Sequence, residues 1–214
     1  MTRFYTPNFN GKKALILHRN GESMKRLTRQ LERLGMQVTI SWPEFPKGDD
    51  VYQNGELNFD MVFVDADNGY DELFPWLSGA PPVPLIALLG SELPGRLEWA
   101  MSQNIVSHIS KPIQSSGVFS ALVFAVSNFE KMKIEQVHLE SLEMIVSSRP
   151  AVLRGVSALM KHGDLNEDQA FALIRKAAMD NRTSIEKYCL SLNANIFDKL
   201  LLNSSKLRKP KKVN

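Results

Sequence analysis

Five short apolar runs recur through the first half of the sequence: Lys13 to Leu17, Val38 to Ser41, Phe59 to Val64, Pro84 to Leu89 and Ile105 to Ile109. They limit the fold more than any other feature. Most lack the apolar–polar alternation of a half-exposed strand, as expected for strands covered on both faces. Helical stretches lie between some of them. Glu22 to Leu34 carries Met24, Leu27, Leu31 and Leu34 at spacings of three and four, and Gly35 provides a stop. Pro94 to Gln103 reads as a second helix, and a weaker one is expected over Asp71 to Leu77, behind the turn Asp67-Asn68-Gly69. The Pro-, Gly- and acid-rich stretch from Trp42 to Asn58 reads as a loop with room for a weak helix. Strands alternating with helices predict an α/β fold built on a parallel sheet.

Beyond Lys111-Pro112 the pattern becomes helical, and Ser115 or Ser116 can cap the new helix. The positions Val118, Leu122, Ala125, Phe129, Met132, Gln136, Leu139, Glu143 and Val146 follow alternating steps of four and three, and seven of the nine are apolar. This is the coiled-coil template. The first half of the helix is expected to pack on its own sheet. The second half, Lys131 to Val146, is expected to pair with another copy of the chain through Phe129, Met132, Gln136, Leu139, Glu143 and Val146, with the two polar residues fixing register. Pro150 predicts an interruption, either a kink or a fresh helix start. Three short helices should follow: Ala151 to Lys161, Glu167 to Asp180 behind an Asn166/Gln169 capping box, and Ser184 to Leu192 behind Thr183 and Glu186. Asn195 to Leu202 has length for one or two further turns. Val152, Leu159, Ala170, Leu173, Ile174, Ala177, Ile185 and Leu192 form the expected small core, with Ala177, Ala178 and Cys189 small enough for close helix approach.

Charge separates the two parts. From Arg149 to Asn214 there are thirteen Lys and Arg against six Asp and Glu, a balance of +7, which leaves −4 for the rest of a chain whose total is +3. A basic C-terminal third points to a polyanionic partner. The lone cysteine, Cys189, excludes an internal disulfide, and the four histidines share no ligand spacing, so neither a metal site nor a cofactor is expected. No apolar run approaches bilayer length. No signal-peptide pattern opens the chain, and the expectation is a cytoplasmic protein.

The segment Asp60-Met61-Val62-Phe63-Val64-Asp65 and the later Ser110-Lys111-Pro112 resemble the third strand and the lysine–proline of response-regulator receiver domains. The resemblance implies a flavodoxin-like (βα)5 fold over residues 12–128, with residues 1–11 as an extension. It places Asp65 at the phosphoacceptor position and Lys111 at the phosphate-contacting position. Phosphoryl transfer needs a divalent cation held by an acidic pair after the first strand, and His18 and Arg19 stand there instead. Leu89, followed by Gly90, replaces the hydroxyl residue after the fourth strand. The implied reading is a degenerate receiver with no catalytic centre, in which Asp65 is salt-bridged to Lys111 or Arg19.

A second resemblance covers Ser147 to Leu192. His162-Gly163, Asn166-Glu167, Ala170-Phe171 and Leu173-Ile174-Arg175-Lys176-Ala177-Ala178-Met179 are similar to the ANTAR domain of transcription antiterminators. Gly155-Val156-Ser157 departs from that family's lysine-containing tripeptide. The whole arrangement resembles the AmiR/NasR family. It implies a coiled-coil dimerisation helix at 129–148, an RNA-binding three-helix domain at 149–203 and a basic tail at 204–214. Arg154, Lys161, His162, Arg175, Lys176 and Arg182 are the candidate RNA contacts. The family's mechanism implies binding to hairpins of a nascent leader transcript, with control through the pseudo-receiver by a ligand-sensing protein. A phosphorylation-dependent response regulator, a DNA-binding regulator and an interaction scaffold are the competing readings.

Overall fold

The computed structural model describes residues 6–48, 51–77, 80–192 and 200. The basic tail and all of Asn195 to Leu202 except Leu200 lie outside the described residues. Two compact units divide near Ile134.

The first unit is built on a five-stranded parallel sheet. Its strands are β1 (Lys13–Leu17), β2 (Gln37–Ser41), β5 (Met61–Asp65), β6 (Leu85–Leu89) and β7 (Ser107–Ser110), in the order β2-β1-β5-β6-β7. Each apolar run of the sequence forms one strand, within two residues of the expected boundaries. The order reverses between β1 and β5, as in flavodoxin-like folds. Registers Leu17↔Val64, Asp65↔Leu88 and Leu89↔Ser110 bring the C-terminal strand ends together. His18, Asp65, Gly90 and Lys111 are therefore gathered at one edge of the sheet, although the sequence separates them widely.

On one face, Ala14, Ile16, Met61, Phe63, Ile86 and Leu88 meet α1 (Glu22–Arg33) and the start of α3 (Val118–Gly163). Met24, Leu27 and Leu31 of α1 are buried, and Val118, Ala121, Leu122 and Ala125 bury the first turns of α3. On the opposite face, the β2–β5 and β5–β6 crossovers carry no α-helix, and α2 (Pro94–Ser102) connects β6 to β7. The weak helix expected between Trp42 and Asn58 is instead a small hairpin, β3 (Tyr52–Gln53) with β4 (Glu56–Leu57). Asn54 and Gly55 both take positive φ at its tip, the geometry that favours Asn-Gly in a two-residue turn. The helix expected from Asp71 to Leu77 shrinks to a 3-10 turn at Asp71–Leu73. Aromatic rings cover that face, with Phe74 stacked on Trp76 at 4.9 Å and on Trp99 at 6.3 Å. Trp99 belongs to α2 and lies where a Cβ on Gly69 would fall, so that glycine is required for the close approach.

In the second unit, the end of α3 packs with α4 (Glu167–Asp180) and α5 (Ile185–Ser191). All eight residues expected in this core belong to it. Gly155 adds to the close contact, since a Cβ there would meet Leu192 Cδ1 at 3.2 Å and Ile174 Cδ1 at 3.4 Å. The Asn166/Gln169 capping box is formed. The cap of α5 is Ser184, whose hydroxyl accepts from the Lys187 N–H, rather than Thr183. Burial first, and then the charge of Glu186, raise the pKa of the Cys189 thiol, so it packs as a small apolar group.

The fresh helix start expected as one outcome at Pro150 is overturned, because α3 continues as one helix from Val118 to Gly163. Pro150 has no N–H for the Val146 carbonyl. The hydroxyls of Ser147 and Ser148 donate to the Met144 and Ile145 carbonyls just before it, a pattern that eases local bending. Replacing Pro150 by Ala restores the missing donor, worth about 3 kcal/mol in a helix interior, against about 1 kcal/mol lost by loosening the unfolded chain. The Pro150→Ala variant should gain about 2 kcal/mol in urea unfolding with no loss of helical circular dichroism.

Candidate functional site

The strand ends of the first unit hold a closed cluster of charges. Asp65 is 1% exposed, and one of its oxygens accepts from Lys111 Nζ at 2.6 Å while the other accepts from Asn68 Nδ2 at 2.7 Å. Of the two partners expected for Asp65, the structure selects Lys111; Arg19 is exposed. His18 is buried. Its Nδ1 donates to the Arg19 carbonyl at 2.6 Å, and its Nε2 lies 3.5 Å from Lys111 Nζ and 3.6 Å from Asp65.

The sequence reading missed one member of this cluster. Asp67, assigned only to a turn, places Oδ2 at 2.7 Å from the same Lys111 ammonium. Its carboxylate also accepts from the Gly90 N–H at 2.8 Å and the Ser91 N–H at 3.3 Å. Burial by itself would raise its pKa. The Lys111 hydrogen bond and charge, with the two backbone donors, outweigh that and hold the carboxyl below its ordinary value of 3.8. The divalent cation of a working receiver does not fit these residues. A hard cation needs carboxylate oxygens, His18 and Arg19 provide none, and the Lys111 ammonium already bridges Asp65 and Asp67. Among the described residues, no group of three or more His, Cys, Asp or Glu is placed to hold a metal.

In the second unit, α4 buries Ala170, Leu173, Ile174 and Ala178 and turns its other face to solvent. Arg175 and Lys176 lie exposed on that face, in line with Phe171 and Met179 at 41% and 68% exposure. Arg154, Lys161 and His162 are exposed on α3, and Arg182 is exposed just beyond α4. Arg182 takes φ 51 in the left-handed region. Around it, the Thr183 N–H reaches the Ala178 carbonyl and its own N–H reaches Met179, which is a Schellman turn. The equivalent position after α1 is Gly35 and after α2 is Asn104, the residues that tolerate this backbone best.

The expected pairing seam divides along α3. Phe129 is 6% exposed, covered within its own chain and capped by Lys133 Nζ at 4.8 Å, so it is not free to form the seam. Met132 is half-buried, whereas Leu139 and Val146 are more than half exposed. Gln136 and Glu143 are exposed, and Gln136 donates to Glu140. The exposed Leu142 lies three residues from Leu139 and four from Val146, and it continues the apolar stripe better than Glu143 does.

Residues 12–126 match the family model described as AmiR, N-terminal, and residues 140–192 match the ANTAR domain. The transcriptional regulatory protein PdtaR of Mycobacterium tuberculosis, in two strains, is 29% identical over 105 residues, 49% of this chain and 51% of the relative. The chain thus spans about half the length of the curated relatives it matches. A CheY-like response regulator from Mesorhizobium loti is 15% identical, with a TM-score of 0.41, over 54% of this chain and 99% of that one. Full-length FixJ from B. japonicum is 13% identical, with a TM-score of 0.40, over 93% and 100%. No helix among the described residues is long and apolar enough to cross a membrane.

Among the described residues, Lys111 is the cation that contacts both carboxylates, so removing it leaves an uncompensated acidic pair. Lys111→Met should cost about 3–5 kcal/mol in denaturant unfolding at neutral pH, and adding Asp65→Leu should recover part of that loss. Asp67 has a depressed folded-state pKa, so its stabilisation is complete above the ordinary carboxylate range. It is lost as pH falls below 3.8 through the depressed value. The stability gap between the native chain and Asp67→Asn should therefore be flat from neutral pH down to the ordinary carboxylate range and close only in stronger acid.

Proposed function

The chain belongs to the AmiR N-terminal family and carries an ANTAR domain, and from that premise we propose that it is an RNA-binding transcription antiterminator. The observation that carries this reading is the outward face of α4 within the ANTAR-matched segment, where Arg175 and Lys176 stand beside exposed Phe171 and Met179. Cations meet phosphates, and an exposed aromatic ring offers a stacking surface to an unpaired base of a hairpin loop. The +7 balance of residues 149–214 supports a polyanionic partner. The protein would act on two alternative folds of a leader transcript by binding the antiterminator hairpins better than the terminator.

Pairing of two chains through Met132, Leu139, Leu142 and Val146 would hold two RNA-binding units together and raise the effective concentration of the second contact. The apolar stripe exposed on one chain supports this homodimer. Control by a ligand-sensing protein partner, acting on the pseudo-receiver, fits a centre whose two carboxylates already share the Lys111 ammonium. The competing reading, a phosphorylated response regulator, has the retained Asp65–Lys111 pair in its favour. Mass spectrometry after incubation with acetyl phosphate and magnesium separates the two, and an unchanged mass is expected.

Arg175→Ala with Lys176→Ala should weaken binding of hairpin leader RNA severalfold, flatten its salt dependence and leave thermal unfolding intact. Unaltered affinity in a filter-retention assay would remove both residues from the interface. Arg182→Gly makes a sharper test because it relieves a left-handed backbone costing roughly 1–2 kcal/mol. The variant should be more stable yet bind RNA less tightly. Leu142→Lys in the full chain should shift the sedimentation coefficient from dimer to monomer; a native chain that already sediments as a monomer would end the seam assignment.

A further inference from the structure

The donors around Asp67 form an oxyanion cradle. Two consecutive backbone N–H groups, those of Gly90 and Ser91, and the Lys111 ammonium converge on one carboxylate at 2.8, 3.3 and 2.7 Å. Such a set binds any compact oxyanion, because fixed N–H dipoles and a partly buried cation favour negative charge. We propose that the Asp67 carboxylate is an internal ligand that fills this cradle, closes it to free phosphate and latches the loop after β6 to the end of β5.

Two further observations fit the latch. A Cβ on Gly90 would lie 2.5 Å from Asp67 Oδ2, so the carboxylate reaches the loop only because that residue is glycine. The segment carrying Asp67 is also fixed by the two residues that follow it. Asn68 donates to buried Asp65, and Gly69 receives the Trp99 ring of α2. The latch therefore ties the loop after β6, and α2 behind it, to the phosphoacceptor-like strand end. A phosphate entering this space would meet Asp65 and Asp67 with Lys111 as their shared counter-charge. The assignment does not depend on the C-terminal unit binding RNA.

Amide hydrogen exchange on the full chain tests the latch, with inorganic phosphate as the probe. In the native chain, millimolar phosphate should leave exchange at Gly90 and Ser91 unchanged. In Asp67→Ala, exchange at those two amides should quicken by about tenfold or more while β1 and β5 stay protected. Phosphate should then restore protection saturably, as a free anion takes the vacated cradle. Gly90→Ala retains the carboxylate but displaces it, and should quicken exchange at Ser91 in the same way; it gives the readout if Asp67→Ala fails to fold. Exchange that stays native in the variants overturns the proposal. So does quickened exchange in Asp67→Ala that phosphate does not reverse, or a native chain whose Gly90 and Ser91 amides respond to phosphate.

Discussion

The first unit depends on one ammonium group. Parallel strands deliver His18, Asp65, Gly90 and Lys111 to one edge, and without a positive charge there the buried Asp65 and its neighbour Asp67 would repel each other. A bound cation is one physical solution to such a pair. This chain uses a lysine reaching over from β7, with oxygens at 2.6 and 2.7 Å. The choice has consequences for chemistry. An ammonium that satisfies two carboxylates has little left to offer an incoming phosphoryl group, and a carboxylate already accepting hydrogen bonds from Lys111 and Asn68 is a poor nucleophile. The edge of the sheet is thus held by one ammonium shared between two carboxylates, which leaves a net negative charge beside Asp65.

The second dependence is on α3, which serves three environments along its length. Its first turns are apolar where they face the sheet, through Val118, Leu122 and Ala125. Its middle exposes Leu139, Leu142 and Val146, which the described residues leave open to solvent. Its last turns supply Ala151, Val156 and Leu159 to the three-helix core. A repeat of three and four residues is shared by all three roles, so periodicity alone could not assign them. What separates them is burial, and burial depends on what else the chain brings alongside.

The sequence made the three central strands β1, β5 and β6 legible because strands buried on both faces read as uninterrupted apolar runs, whereas the edge strands β2 and β7 are largely exposed. Helix α4 was legible too, because its ends are marked by Asn166 and Gln169 and its buried stripe is regular. Legibility failed where local and tertiary signals competed. Pro150 is a strong local breaker, yet helix continues on both sides of it, and packing of Ala151 and Val156 offsets one missing hydrogen bond. The β3–β4 hairpin carried a readable Asn-Gly signal inside a stretch otherwise rich in Pro and Gly. Asp67 was invisible as a site residue. Its partners Gly90, Ser91 and Lys111 lie twenty-three or more positions away, and an Asp-Asn-Gly triplet is accounted for by turn chemistry alone.

Positions that violate local preference are the better guide to function. Three helices end in the same Schellman geometry, and the left-handed residue is glycine after α1, asparagine after α2 and arginine after α4. Gly35 and Asn104 follow from backbone sterics, whereas Arg182 goes against them and gains nothing visible in the fold. Phe171 and Met179 go against burial in the same sense, since the core they could have joined lies on the other side of their helix. Each anomaly alone is small. All three occur on one helix and its terminal turn, beside Arg175 and Lys176, in the part of the chain with the basic balance. An apolar ring, a flexible thioether and three cations kept in water would together suit the partner proposed above, one that carries both flat apolar bases and negative charge.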